Sequence, residues 1–281
     1  MVKFNENDLQ CGNSNTLSLT FNIKVDDEKN KIKNIQWISS HKLVAWSKNS
    51  FNLIDLLARE VTHPFEMKFN WKCNTISQVF FSKSRKIMVL VLNHKEVYLM
   101  NTEFNFEVIK SVDFTKFIKK DCDKLFGCVS PYEDKAVFVS QNLLFFVSLN
   151  DKDPIKRIHS SLEFDSSFIL WKKRGIFIGT EKGSVFLITK KKLTEICKVC
   201  EMNNRDVKVI YDSLRPNKKQ LGSIKMIVTC SNNSLIVLDS NDQGILCSNG
   251  IKTIADNIKA FKQCSKDTFL VRLQNYDKLI A

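Results

Sequence analysis

The chain contains one Cys-x-x-Cys, CKVC from Cys197 to Cys200, where residue type and spacing come nearest to a metal or redox site. Such a pair can be half of a tetrahedral zinc site or a dithiol couple. No second Cys-x-x-Cys and no paired histidines stand at ligand spacing. In an extended strand, residues three apart point to opposite faces. The sequence therefore predicts packing thiols, reactive only after unfolding, with no metal and no cofactor. Cys122 and Cys128 read the same way. Nucleophilic catalysis needs a base held beside the nucleophile. His41, His63, His94 and His159 are scattered, His41 and His94 in predicted hairpin turns. No G-x-S-x-G, H-E-x-x-H or Walker pattern exists,. No catalytic residue is predicted, and the chain reads as non-enzymatic.

The basic clusters are better candidates for recognition. They are Lys172, Lys173 and Arg174 in WKKRG, Lys190, Lys191 and Lys192 in TKKKL, and Arg215, Lys218 and Lys219 in RPNKK. The third lies in DSLRPNKKQLGS, which Pro216, Asn217 and Gly222 mark as a loop,. Loops on a rigid scaffold commonly carry recognition, while lysines at strand ends also protect hairpins from edge pairing. The net charge of +13 points to nucleic acid, an anionic lipid or an acidic protein surface,. Of the 43 basic residues only Arg59, Arg85, Arg157, Arg174, Arg205, Arg215 and Arg272 are arginine, the residue suited to bidentate phosphate contacts,. A solvated lysine surface, shaped by codon usage, accounts for the same excess.

The elements that must carry these residues are strands. The longest apolar run, Ile87 to Leu92, is too short to span a bilayer, and the first residues show no secretory h-region,. Nine scattered cysteines fit reduced thiols in the cytoplasm or nucleus,. Period-two alternation with β-branched and aromatic residues recurs throughout. Helical periodicity is confined to Phe114–Phe126 and a turn near TIADNIKAF.

The alternation repeats at a longer step. GTEKGSVFLITK, from Gly179 to Lys190, is a polar turn between apolar runs, and its strand ends at Ile188-Thr189. Ile54-Asp55, Met100-Asn101, Val147-Ser148 and Leu238-Asp239 stand in the same relation to their turns, giving steps of 46, 47, 41 and 50 residues. Such a period marks an array of similar units. Each unit reads as four strands with the second the most apolar. Unit two gives TISQVFFS, KIMVLVLN, EVYLMNTE and EVIKSVDF, and unit four gives SFILWKK, GIFIGTE, SVFLITK and LTEICKV. Unit one ends on PFEMKFNW. Val89, Val139, Ile178 and Val228 are expected to be buried in second strands.

This pattern resembles a degenerate WD40-type β-propeller. Asp55 and Asp239 stand where that family often has the Asp of its Trp-Asp pair, although Ile54, Met100, Val147, Ile188 and Leu238 replace the Trp. The expected fold is all-β, with about five full blades and part of a sixth over residues 17–281 after a tail of 1–16. LSLTFNIKV is suited to close the ring, and the chain is expected to be a fragment, since it stops inside a strand. The resemblance extends to the N-terminal propellers of large scaffolding subunits, of vesicle-tethering, kinetochore or transcription-factor type. It implies a non-enzymatic scaffold whose partners are other protein subunits, with Phe104, Phe106 and Tyr132 as surface aromatics. The alternative is a nucleic-acid-associated subunit with basic loops on phosphate.

Overall fold

The computed structural model describes residues 35–39, 41–48, 51–58, 75–82, 84–103, 106–118, 124–150, 154–212, 220–229, 235–241 and 243–245, and the backbone of 34, 60–62, 246–247, 251–255, 258–263, 269–273 and 277–280. The first sheet holds β1 (Asn34–Trp37), β2 (Lys42–Trp46), β3 (Phe51–Asp55) and β4 (Glu60–Thr62). The second holds β5 (Ile76–Ser82), β6 (Ile87–Leu92), β7 (Glu96–Asn101) and β8 (Val108–Asp113). The third is built from β9 (Phe126–Val129), β10 (Lys135–Ser148) and β11 (Lys156–Phe164). The fourth begins with β12 (Ser166–Lys172), β13 (Gly175–Thr180) and β14 (Val185–Thr189). Then come helix α1 (Lys190–Val199), β15 (Glu201–Met202) and β16 (Val207–Tyr211), the last completing the fourth sheet. The fifth has β17 (Ile224–Thr229), β18 (Leu235–Asp239), β19 (Gly244–Cys247) and β20 (Ile251–Ala255). A three-stranded sheet of β21 (Ile258–Gln263), β22 (Phe269–Leu273) and β23 (Asp277–Ile280) follows.

Apart from β15, which joins the third sheet in parallel, each sheet is an antiparallel meander because short polar turns separate its alternating runs,. β10 compresses two strands into one run. Ala136–Val139 pair with β9 and Leu143–Phe146 pair with β11. Gln141, at φ 47°, turns the chain between them, and Leu149 N donates to Asp134 O at 2.9 Å.

Second strands are apolar at consecutive positions because both their faces meet a neighbouring sheet. In β6, Ile87, Val89 and Val91 pack with Ala136 and Phe138 of the third sheet. Met88, Leu90 and Leu92 pack with Val44 and Trp46 of the first. Val137 and Val139 meet Ile176 and Ile178, and Phe177 meets Leu235 and Val237. Each such aliphatic side chain stabilises by about 1.5–3 kcal/mol when fully buried. Innermost strands lie side by side, β5 against β9, β9 against β12 and β12 against β17. Gln36, Phe81, Val129, Trp171 and Thr229, from the first strands of five sheets, line one cavity of about 740 Å³. Sheets arranged radially about an inner cavity make a β-propeller, here with mostly four-stranded blades,.

The structure moves several elements. LTEICKV is not the fourth strand of its blade: α1 occupies it, and the fourth strand is β16. The first blade's fourth strand is β4, while PFEMKFNW lies outside the described residues. Unit five is misframed by one strand. Asp239 ends the second strand of its blade, and its counterpart is Thr180. Asp239 N donates to Gln243 O as Thr180 N does to Ser184 O, and Ser240 N donates to Ser223 O as Glu181 N does to Asp165 O. Val228 therefore sits in a first strand, half-buried, while Val89, Val139 and Ile178 are fully buried in second strands. Of the expected helices, Phe114–Phe126 contributes a single turn among its described residues, with Phe117 and Ile118 N–H both donating to Phe114 O, and the described residues of TIADNIKAF fall in β20 and β21. LSLTFNIKV lies outside the described residues.

Candidate functional site

The lysine clusters of the fourth blade meet because of strand pairing. Lys172, Lys173 and Arg174 form the exposed turn between β12 and β13. Gly175 pairs with Thr189 at the end of β14, and Lys190 N donates to Arg174 O at 3.0 Å. Thr189 then caps α1, its hydroxyl accepting from Lys192 N at 3.4 Å. The same third-strand end carries Asp55, Asn101 and Ser148 in the earlier blades. Each accepts backbone N–H groups of its following turn, from Leu57 and Ala58, from Glu103, and from Asn150 respectively,. In the fourth blade that turn continues into a helix.

α1 buries Leu193 and Ile196 in the core shared by the third and fourth blades. Cys200, at φ 60°, closes it, its N–H donating to Ile196 O at 2.8 Å. β15 then pairs in parallel with β11, and His159 N donates to Cys200 O at 3.1 Å. The insertion of the fourth blade thus covers an edge of the third.

Under this clasp lies a groove of about 570 Å³. Lys135, Lys156, Lys172, Lys173, Lys190 and Lys198 line it, and among the described residues no carboxylate does. Tyr132, Phe146 and Trp171 supply its aromatic surface. Phe146 and Trp171 meet edge to face at 5.6 Å and 82°. The Lys190 ammonium sits 5.7 Å from the centre of the Tyr132 ring,. The first turn of α1 carries three lysines and no acid, opposite to the charge the helix dipole favours there,.

Of the nine expected residues, Lys172, Lys173, Arg174 and Lys190 come together. Arg174 faces the inner cavity rather than the groove. Lys191 is exposed outside the groove lining. Lys192 pairs with Glu195 at 3.0 Å and Asp206 at 3.1 Å, and these contacts raise its pKa. Arg215, Lys218 and Lys219 lie outside the described residues. Tyr132 is 63% exposed, whereas Phe106 is buried against Phe51 at 5.4 Å, and Phe104 is outside the described residues. Lys135 and Lys156 were not singled out from sequence. They open strands of the third blade, next to turns, as the basic triads flank strands of the fourth.

The helix also changes the reading of CKVC. Cys197 and Cys200 sit three apart at a helical end, not on opposite faces of a strand. Cys200 is exposed and Cys197 half-buried, so the expectation that both are hidden fails. Burial pushes the Cys197 thiol up and the Cys128 thiol up to about 12. Thiolate is the reacting form. Iodoacetamide is therefore expected to label Cys200 in the folded chain well before Cys128, read by peptide mass mapping; equal rates would contradict this placement. Among the described residues, no group of three or more His, Cys, Asp and Glu could hold a metal ion.

His94, at φ 55° in the turn after β6, packs against Phe126 at 5.9 Å, with Nδ1 3.3 Å from Leu125 O. Burial, with Lys124 adding to it, lowers its pKa below the ordinary 6.5 despite the Leu125 carbonyl. The unfolded chain then binds the proton more readily. The associated stability is present above pH 6.5 and is lost as pH falls through the lower folded value,. Asparagine tolerates positive φ, so His94→Asn is expected to flatten the fall in melting temperature below pH 6.5. An unchanged slope would assign that fall to other groups.

The chain is a β-propeller. No family model and no curated protein matches it. Solved structures do. Hsv2 of Kluyveromyces marxianus superposes with a TM-score of 0.56 at 8% identity, over 90% of this chain and 77% of that one. A structural genomics protein of unknown function from Bacteroides thetaiotaomicron VPI-5482 gives 0.53 at 10% identity, over 85% of this chain and 66% of that one. At such identities the likeness is one of fold. Among the described residues no helix is long and apolar enough to cross a membrane.

Proposed function

We propose that this chain is a non-enzymatic scaffold that holds other protein subunits of a larger assembly in the cytoplasm or nucleus. β-propellers commonly mediate protein interactions. The observation that carries the reading is the convergence of six lysines from two blades and their clasp on one surface groove, with no carboxylate among its described lining residues. A rigid array of blades holds such a surface without reorganisation on binding. The vesicle-tethering, kinetochore and transcription-factor types remain its candidate settings.

The test is purification of the tagged chain from its native cells after nuclease treatment, followed by size exclusion and quantitative mass spectrometry. Stoichiometric co-migration with other protein subunits is expected. A chain that elutes alone would refute the scaffold. The second reading, a nucleic-acid-associated subunit, is favoured by the net charge of +13. It requires affinity for generic RNA or DNA that falls steeply with salt, because phosphate contacts release counterions.

A further inference from the structure

We propose that the groove between the third and fourth blades docks an extended acidic segment of a partner protein. One large apolar side chain of that segment seats against Trp171 and Leu193, and its flanking carboxylates meet Lys135, Lys156, Lys172 and Lys173. This deepens the scaffold reading and rests on it.

Charge complementarity selects the occupant. Among the described residues, no carboxylate lies within ion-pair distance of Lys135, Lys156, Lys172, Lys173 or Lys198. Like charges gathered around a low-dielectric wall repel each other and raise the local concentration of anions. Lys190, in the first turn of α1 where no acid stands, deepens this positive field, since it adds to the helix dipole rather than opposes it,. A partner carboxylate there relieves both.

The floor selects a protein chain over a nucleic acid. At about 570 Å³ the groove is in the range of pockets that enclose a large side chain with its flanking backbone,. Single-stranded nucleic acid is held by open aromatic faces, with help from arginine. Here Phe146 and Trp171 are engaged edge to face with each other, and the Tyr132 ring carries the Lys190 ammonium. Among the described residues, the groove lining contains no arginine. Lysine is a point charge that suits carboxylates without demanding a planar phosphate fork. Strand addition at this side of the third blade is also excluded along the part of β11 that β15 covers.

The test is fluorescence anisotropy on the full chain with three labelled probes. These are an acidic peptide with one central phenylalanine, the same peptide with alanine at the centre, and an oligo(dT) of equal charge. The phenylalanine peptide is expected to bind at least tenfold more tightly than the other two. Lys172→Glu with Lys173→Glu, in an exposed turn, is expected to weaken it at least tenfold. Thr194→Trp, on the exposed side of α1 and facing the groove, is expected to abolish binding. Melting temperatures equal to the parent's show that both variants are folded. Equal binding of the two peptides, tighter binding of oligo(dT), or normal binding by folded Thr194→Trp would overturn the proposal. If the Thr194→Trp chain keeps its subunits but the peptide never bound, the groove falls and the scaffold stands. If the peptide binds as expected but no subunit co-migrates, the groove stands and the scaffold falls.

Discussion

Phe138→Ala is expected to destabilise the chain by about 3–5 kcal/mol, the cost of a fully buried aromatic whose site cannot collapse. Phe138 is fully buried in the second-strand half of β10, on the face turned to the second blade. Phe80 and Phe114 lie against it at 5.9 and 5.6 Å. Gly127 lies beneath the ring, so close that a Cβ would stand 2.5 Å from it. The hole left by alanine is bounded by two separate sheets, each fixed by its own hydrogen-bond ladder, so neither can move in to fill it. A typical domain has only about 5–15 kcal/mol in total. A loss of this size is measurable as a lower urea midpoint. A loss under about 1 kcal/mol would mean that the seam between the second and third blades is loosely packed.

The strands were legible because a propeller writes its architecture at period two. Both faces of Ile87–Leu92 are buried, and the sequence shows this as an unbroken apolar run. The third-strand ends were legible for a different reason. Asp55, Asn101, Ser148 and Thr189 all satisfy backbone N–H groups at the same point of four blades, so short polar side chains recur there although the tryptophan does not. Asp239 imitates them while doing another job. It is fully buried at the end of a second strand, and it accepts N–H groups from Gly222, Asn241 and Gln243 at 2.8, 2.9 and 2.8 Å. Equal chemistry at two different strand ends is what slipped the frame.

The helix left a signal that was outweighed. Leu193, Ile196, Cys197 and Cys200 follow the i, i+3, i+4, i+7 pattern of a helical face,. Three lysines at its start contradict the usual first-turn preference, and a fourth strand was needed at that point of the repeat. The groove was half legible. Charge along the chain pointed to Lys172, Lys173 and Lys190, and pairing of β13 with β14 explains why they meet. Lys135, Lys156 and Phe146 come from the neighbouring blade. Their approach depends on how blades stack, which no local pattern encodes.

Gly175→Val is expected to cost more than about 2 kcal/mol and to dismantle the groove as well. Gly175 has φ +146°, where L side chains rarely sit, and a Cβ there would stand 2.1 Å from the backbone oxygen of Ile188. Holding a side chain in a sparsely populated backbone region costs about 1–3 kcal/mol by itself. The clash adds to this, because its target is a carbonyl on the paired strand and not a flexible tip. The least costly relief is to part β13 from β14 at this end. That separation breaks the bond from Lys190 N to Arg174 O, the tie that sets the Lys172–Arg174 turn beside the start of α1. Hydrogen exchange at the Lys190 amide is therefore expected to accelerate even where the rest of β13 stays protected, and affinity for the acidic phenylalanine peptide to fall. Lys173→Ala, in the same turn but exposed, is expected to stay within about 0.5 kcal/mol of the parent, which separates loss of charge from loss of geometry. A Gly175→Val chain as stable as the parent, with the Lys190 amide still protected, would show that the turn tolerates a side chain and that the glycine does not set the position of the lysines.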